Sequence, residues 1–177
     1  MLSSPAPQRL WLPCSAEDVE TELDRLCTWL RRRPIAYGYL TARAPLLSNL
    51  TVLENLWLPH AWRWGCSRRL LLHRLHDLLP GLAGSEGMQT SLRDPSRWLA
   101  CRPAELSPGE IAAAVVLRAA LGRPEVVLVD PSWLDWPPAI ALLPTATWWL
   151  PAAEPPPIIE DQSWIRMPAD EACGLLM

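Results

Sequence analysis

The chain has 177 residues, 50% of them hydrophobic and 20% charged, which fits one soluble globular domain with a core of its own. Its net charge of -3 excludes nucleic acid as the expected partner, because binding to a polyphosphate requires a basic surface. All 16 basic residues are arginine, so the chain contains no lysine.

The five cysteines are widely spaced and form no CxxC pair, so neither a disulfide framework nor a metal site is expected. This cysteine usage suits a reducing cytoplasm. No uninterrupted apolar stretch reaches the roughly 20 residues that cross a bilayer. We therefore expect no direct insertion into a membrane.

Helix and strand signals alternate along the first part of the chain. A capping-box pattern and leucines at helical spacing predict a helix over residues 15–33, which Pro34 stops. Residues 35–41 are aromatic and apolar enough for a buried strand. The capping box repeats at residues 51–54 and predicts a short helix that ends at Pro59.

The second part continues this alternation. Leucines on one side of residues 67–79 predict an amphipathic helix, and the glycine- and serine-rich residues 81–93 predict a connection. Another helix is predicted over residues 107–121, followed by a buried strand over residues 126–129. This order predicts the α/β class, with a mainly parallel sheet flanked by helices. The remaining predicted elements are a short helix over residues 139–143 and strands over residues 145–150 and 162–167.

Two segments resemble the ATP-binding cassette (ABC) ATPase family. Residues 37–55 contain YGYLTA and LLSNLTVLEN, which are similar to the family's Q-loop strand and the segment after it. Residues 103–130 contain PAELSPGE, a helix and an apolar run closing on Asp130, which are similar to the signature motif, its helix and the Walker B strand. The LLSNLTVLEN wording resembles exporters and lipid-trafficking systems more than sugar importers.

The resemblance implies an architecture for the whole chain. It predicts a truncated ABC ATPase-like core in a single domain of residues 1–177, with a small helical subdomain at about residues 60–105. The segment over residues 151–177, which contains a run of prolines, is predicted to be irregular.

The family's phosphate-binding loop is the first departure. An ABC ATPase holds the phosphates with a glycine-rich P-loop before the Q-loop strand, through backbone N–H groups and a lysine. Residues 1–34 contain no glycine, and the whole chain contains no lysine. The comparison with the family pattern therefore predicts that the P-loop is absent.

The other catalytic positions depart as well. The Q-loop glutamine falls on Ala42, the glutamate after Walker B on Pro131, and the switch histidine near Ala152 or Ala153. Asp135 resembles the D-loop aspartate, although it lies closer to the Walker B strand than in the family. Since water and metal lose the groups that position them, we expect no catalytic residue, no ATPase activity and no cofactor of the chain's own.

Three residues of the nucleotide-binding motifs remain, namely Ser107, Gly109 and Asp130. The resemblance implies that Ser107 and Gly109 contact the γ-phosphate of ATP bound to an opposite subunit, and that Asp130 stands where the magnesium shell is held. A structural alternative stays open for each motif. Ser107 and Glu110 make an ordinary capping box, and an aspartate that closes a strand caps the following turn.

Aromatic and basic residues are concentrated after the first segment, at Trp57, His60, Trp62, Arg63 and Trp64. In ABC transporters this region and the helical subdomain receive the coupling helix of the membrane subunit, so the resemblance implies a partner-docking site here. The alternative is that the tryptophans pack in the core.

The function that follows is a non-catalytic ABC-type subunit of a bacterial membrane transport system. It would pair with a permease, an active ATPase or a second copy of itself, in the cytoplasm or on the inner membrane through a partner. ATP and magnesium would be contributed by the partner. Two alternatives remain: a stand-alone interaction protein that keeps only the fold's core, and an ATPase with an unconventional site.

Overall fold

The computed structural model describes residues 7–41, 46–85, 87–133, 142–156 and 164–175. The chain divides into two compact units, which we call the sheet unit and the helical unit. The sheet unit comprises Met1–Ala42, Arg123–Asp135 and Pro144–Met177, and the helical unit comprises Arg43–Gly122 and Trp136–Leu143. The helical unit is thus larger than the predicted residues 60–105, because its helices already begin at Val52.

The sheet unit contains five strands in the order β2-β3-β4-β1-β5. Every pairing among the described strands is parallel, which confirms the predicted α/β class. The strands are β1 (Arg9–Pro13), β2 (Tyr37–Leu40), β3 (Val126–Val129), β4 (Thr147–Ala152) and β5 (Ile165–Arg166), and the helices of this unit are α1 (Val19–Arg31) and α7 (Ala169–Gly174).

The core of the sheet unit lies between the sheet and α1. All four residues of β3 are buried, as expected for a strand covered on both faces. Trp149 of β4 is fully buried, and its ring lies 5.9 Å from the ring of Trp29 on α1. Burying a large apolar side chain contributes about 1.5–3 kcal/mol. The other large buried residues of this core are Leu10, Leu12, Leu23, Leu26 and Leu30.

Strand β1 is an element that the sequence analysis did not predict. It lies inside the sheet, paired with β4 on one side and β5 on the other. Its sequence RLWLP carries only two aliphatic residues, and Pro13 at its end is a residue that strands rarely contain. Pro13 is tolerated because it is the last residue of the strand, opposite Ala152.

The helical unit is built from short helices. Serine or threonine precedes three of them, with Thr51, Ser67 and Ser107 each accepting a hydrogen bond from a backbone N–H of the first turn. These helix starts were all predicted. The helices are α2 (Val52–Trp64), α3 (Arg68–Leu78), α4 (Gln89–Arg93), α5 (Pro95–Ala100) and α6 (Pro108–Leu121).

Helix α2 does not end at Pro59, and that prediction was wrong. Proline lacks an N–H and so leaves out only the hydrogen bond to the carbonyl four residues earlier, while the helix continues to Trp64. It ends where Gly65 adopts the left-handed conformation with φ 60°. The N–H groups of Gly65 and Cys66 then donate to the carbonyls of Ala61 and His60, which closes the helix end.

Smaller differences concern element ends. Residues 16–18 form a turn, so α1 begins at Val19 and not at Ser15. The predicted connection over residues 81–93 contains the end of a 3-10 turn, Leu79–Leu82, and all of α4. The predicted helix over residues 139–143 lies mostly outside the described residues. The segment predicted to be irregular includes the end of β4, together with β5 and α7.

Candidate functional site

The connection between β1 and α1 stands where the family pattern places its P-loop. Strand β1, a loop of residues 14–18 and helix α1 precede β2, as a P-loop strand, loop and helix precede the Q-loop strand. Because the strands are parallel, their carboxyl ends share one edge of the sheet, where ligands of such folds bind. The register places Pro13 beside Ala152 and Leu40 beside Val129 at that edge.

The residue 14–18 loop is closed by bonds within itself. Ser15 Oγ donates to Asp18 Oδ2 at 2.6 Å, and the Asp18 N–H lies 3.1 Å from the Ser15 carbonyl oxygen. The Cys14 N–H donates to the carbonyl of Ala152 at 3.3 Å. These N–H groups are directed at the chain's own oxygens, whereas a P-loop directs them at phosphate.

The loop and the start of α1 are acidic. Glu17 and Asp18 lie before the helix, and Glu20 and Glu22 lie in its first turn. Burial raises the pKa of the Cys14 thiol, and the charges of Glu22 and Asp18 raise it further. A negative local potential that disfavours a thiolate disfavours a phosphate for the same reason.

Asp130 follows β3 at the same edge of the sheet. Its Oδ1 accepts hydrogen bonds from the Ser132 N–H at 2.9 Å and from the Ser132 hydroxyl at 2.7 Å. The Asp130 carbonyl accepts from the Trp133 N–H at 3.0 Å. The carboxylate therefore caps the 3-10 turn Pro131–Trp133, which is the structural alternative for this residue.

The remaining catalytic positions are placed as follows. Pro131 begins the turn after Asp130, and Ala152 is buried in β4 with only a methyl side chain. The Ala152 carbonyl accepts from Trp11 Nε1 at 2.9 Å. Ala42 and Asp135 lie outside the described residues.

Ser107 and Glu110 form a complete capping box at the start of α6. Ser107 Oγ accepts from the Glu110 N–H at 3.3 Å, and Glu110 Oε2 accepts from the Ser107 N–H at 2.8 Å. The second carboxylate oxygen, Oε1, accepts from the Ser91 hydroxyl of α4. Gly109 lies in the first turn of this helix.

The charge of Glu110 is stabilised in this position. Partial burial opposes ionisation, but the hydrogen bonds from Ser91 and Ser107 outweigh it and lower the pKa of the Glu110 carboxyl. The helix N-terminus thus already holds an anion of its own. Pro108 at the first helical position also leaves one backbone donor fewer there.

The predicted docking residues divide into two groups. His60 is 5% exposed, its Nε2 lies 3.0 Å from the carbonyl oxygen of Arg118, and its ring stacks on Trp64 at 5.4 Å. Trp57 is half-buried and donates from Nε1 to the carbonyl of Cys66 at 2.9 Å. These two side chains support the fold of the helical unit, which for Trp57 is the packing alternative, whereas His60, predicted to take part in docking, is buried.

Trp62, Arg63 and Trp64 are exposed. Trp62 is 90% exposed, which is exceptional for a tryptophan, and Trp64 is 48% exposed. The guanidinium of Arg63 lies 5.1 Å from the ring centre of Trp64. The sequence does not separate these three residues from Trp57 and His60, because a helix that is predicted to end at Pro59 has no inward face beyond that residue.

The described residues offer neither a metal site nor a membrane span. They contain no group of three histidine, cysteine, aspartate or glutamate side chains that could hold a metal ion. None of the helices in the described ranges is both long enough and apolar enough to cross a membrane. All five cysteines are free thiols.

Some known proteins resemble the chain in sequence, and others resemble it in fold. No protein-family model matches the chain. The lipoprotein-releasing system ATP-binding proteins LolD of Nitrobacter hamburgensis and Nitrobacter winogradskyi are each 32% identical to it over 130 residues, or 73% of this chain. The match covers 49% of each LolD protein, so the chain spans about half the length of these curated relatives.

Solved structures show the same fold. The ATP-binding subunit of an ABC transporter superposes with a TM-score of 0.58 at 20% identity, over 82% of this chain and 68% of that one. The dimeric bacterial ABC transporter cassette MJ0796 gives a TM-score of 0.53 at 18% identity, over 86% and 78% of the two chains. The chain therefore has an ATP-binding-cassette-like α/β fold, which is similar to that of ABC transporter ATPases over most of its length.

Proposed function

We propose that the chain is a non-catalytic ABC-type subunit that pairs with an active ATPase, a permease or both, at the cytoplasmic face of a bacterial inner membrane. The observation that carries this proposal is the residue 14–18 loop between β1 and α1. At the position of a P-loop it has no glycine and no lysine, and it is acidic and closed on Asp18.

The loss of hydrolysis follows from electrostatics. Phosphoryl transfer depends almost entirely on positioning and on compensation of the developing negative charge. The residue 14–18 loop offers carboxylates in place of a lysine, and Pro131 stands where a water-orienting glutamate is expected. Each such loss lowers a rate by orders of magnitude, so the chain on its own turns over no ATP.

The retained motifs support a partner role. Ser107 and Gly109 lie at the start of α6 and Asp130 follows β3, and Glu110 and Ser132 form hydrogen bonds with Ser107 and Asp130 within the chain. A subunit of this kind contributes binding surfaces to the complex and does not catalyse hydrolysis. Since the LolD relatives belong to a lipoprotein-releasing system, we propose a transporter of that class as the assembly it serves.

The test is co-expression with a permease and an ATPase of the lipoprotein-releasing class. We expect affinity purification of the tagged chain in detergent to recover both components. We also expect phosphate release by the complex to stop when the lysine of the partner ATPase's own P-loop is replaced. Asp18→Asn and Asp130→Asn in this chain should leave the rate within about twofold of the unmodified complex.

Two results would overturn the proposal. Phosphate release by the purified chain alone, reduced by Asp18→Asn or Asp130→Asn, would make it an ATPase with an unconventional site. Recovery of a stable soluble homodimer without either transporter component would make it a stand-alone interaction protein.

A further inference from the structure

Positive charge is concentrated in one stretch of this acidic chain. Residues 55–76, between Glu54 and Asp77, contain four of the 16 arginines and no carboxylate. The chain as a whole has a net charge of -3. A strong local excess of one sign, set against the charge of the whole chain, points to a partner of the opposite sign.

The same stretch carries most of the exposed apolar surface. Of the eight large apolar side chains exposed in the described residues, five lie here. Leu58 and Trp62 are one turn apart on α2 and share its outer face. The five side chains are Leu58, Trp62, Trp64, Leu70 and Leu72.

The two kinds of residue lie on both sides of the turn between α2 and α3. Trp57 Nε1 donates a hydrogen bond to the carbonyl of Cys66 at 2.9 Å, so the linker between the two helices folds back against α2. Helix α3 begins directly after it with the exposed residues Arg68, Arg69 and Leu70. The nearby carboxylate of Glu54 is engaged by the Thr51 N–H at 2.8 Å. We call this surface the α2–α3 tip and define it by Leu58, Trp62, Arg63, Arg68, Arg69 and Leu70.

We infer that the α2–α3 tip binds the surface of an anionic phospholipid bilayer. Tryptophan, whose ring is apolar and whose N–H is polar, favours the headgroup region, and arginines gain Coulomb energy beside anionic lipids. Exposed leucines add apolar area that a bilayer interface buries. The tip lies in the headgroup region of the bilayer and does not cross the membrane. This inference goes beyond the proposed function, because lipid binding requires neither nucleotide nor a transporter partner.

A bilayer suits these residues better than an acidic protein segment does. Aromatic residues that anchor a protein–protein interface fill a pocket on the partner, and the surfaces around that pocket are complementary in shape. Trp62 is almost fully exposed, and Arg68, Arg69 and Leu70 are exposed at the start of the next helix. A fluid interface accepts such residues without a matching pocket.

The test is flotation of the purified full-length chain with lipid vesicles at low and at physiological salt. One set contains phosphatidylcholine with phosphatidylglycerol, and the other contains phosphatidylcholine alone. We expect the chain to float with the anionic vesicles only and to be released by salt. Trp62→Ala and the double variant Arg68→Gln/Arg69→Gln should each bind the anionic vesicles about tenfold more weakly.

The matched control is Arg93→Gln/Arg97→Gln, which removes the same charge from exposed positions outside the tip. It should bind as strongly as the unmodified chain. Circular dichroism of every variant should match the unmodified chain, since Trp62 has no packing to lose. Absence of flotation with anionic vesicles, or equal losses in the Arg68/Arg69 and Arg93/Arg97 variants, would overturn the inference and leave an acidic protein segment as the candidate occupant. Recovery of transporter components is measured separately, so the two proposals can fail independently.

Discussion

His60 carries the clearest pH dependence at the level of single residues. Its ring is buried, and burial lowers the pKa of the imidazole, while the nearby charges of Arg74 and Arg118 lower it further. The folded chain therefore disfavours the protonated ring, even though the hydrogen bond to the Arg118 carbonyl opposes this shift of the pKa. In the unfolded chain it has an ordinary pKa near 6.5 and takes up a proton below that pH.

We predict that the free energy of unfolding decreases as the pH falls below about 6.5, because the unfolded state then binds more protons than the folded state. His60 contributes up to about 1.4 kcal/mol per pH unit in this range. His60→Gln should lose about 1–3 kcal/mol at pH 7 through lost packing and hydrogen bonding, yet depend less on pH between 7 and 5. Urea unfolding at both pH values measures this.

The control is His73→Gln, whose ring is exposed on α3. It should keep both the stability and the pH dependence of the unmodified chain. A pH dependence that is unchanged in His60→Gln would show that other groups produce it.

The chemical roles of some residues could be predicted from the sequence, and those of others could not. Ser107 and Asp130 were each given a structural alternative because serine and aspartate have strong local preferences, and both alternatives are seen in their hydrogen bonds. The sequence does not decide between docking and packing for His60 and Trp57, because their burial depends on contacts with α6 and with the α2–α3 linker. Such contacts between distant residues cannot be predicted from the local sequence.

At the level of elements, the end of α2 depends on one glycine. Gly65 adopts φ 60°, a conformation that costs about 1–2 kcal/mol for other residues. A Cβ at this position would meet no atom within 4 Å, so backbone strain is the whole penalty. We predict that Gly65→Ala destabilises the chain by about 1 kcal/mol, measured by urea unfolding.

Gly84 is the matched control for this prediction. A Cβ there also meets nothing within 4 Å, but its φ lies outside the left-handed region. Gly84→Ala should be neutral or slightly stabilising, because alanine reduces the freedom of the unfolded chain. Equal effects of the two substitutions would contradict the role assigned to Gly65.

The capping box of α6 gives a second prediction at this scale. Ser107→Ala removes the acceptor for the Glu110 N–H and should cost about 1 kcal/mol in the free energy of unfolding. Ser96→Ala, at an exposed position within α5, should change stability by less than about 0.5 kcal/mol. If Ser107→Ala were neutral, the capping role would be wrong, and the retention of Ser107 would need a different cause.

Elements with strong local signals could be predicted, whereas β1 could not. Capping boxes and the continuous run VVLV locate α2, α6 and β3, because local hydrogen bonding and burial favour one structure there. Strand β1 is held by long-range pairing with β4 and β5. Five residues ending in proline give no local preference that matches this pairing.

At the scale of the whole molecule, the unpredicted strand changes how the P-loop position is understood. The comparison with the family pattern predicts a truncated core in which the P-loop is absent. The sheet unit contains a strand, loop and helix in that place, so the framework is present and only the loop chemistry differs. The acidic residue 14–18 loop therefore leads to a prediction about the stability of the complete chain.

We predict that magnesium and ATP leave the melting temperature of the purified chain unchanged. A ligand that binds only the folded state at 100 times its Kd stabilises it by about 2.7 kcal/mol. For a chain of this size that would raise the melting temperature by about 5–10 °C. The carboxylates of Glu17 and Asp18 and the Ser15 to Asp18 hydrogen bond disfavour this binding, so we expect no shift in a thermal scan at millimolar ATP. An active ABC cassette scanned in parallel should shift. A rise of several degrees with ATP that disappears in Asp130→Asn would instead place a nucleotide at the carboxyl edge of this sheet and refute the non-catalytic role.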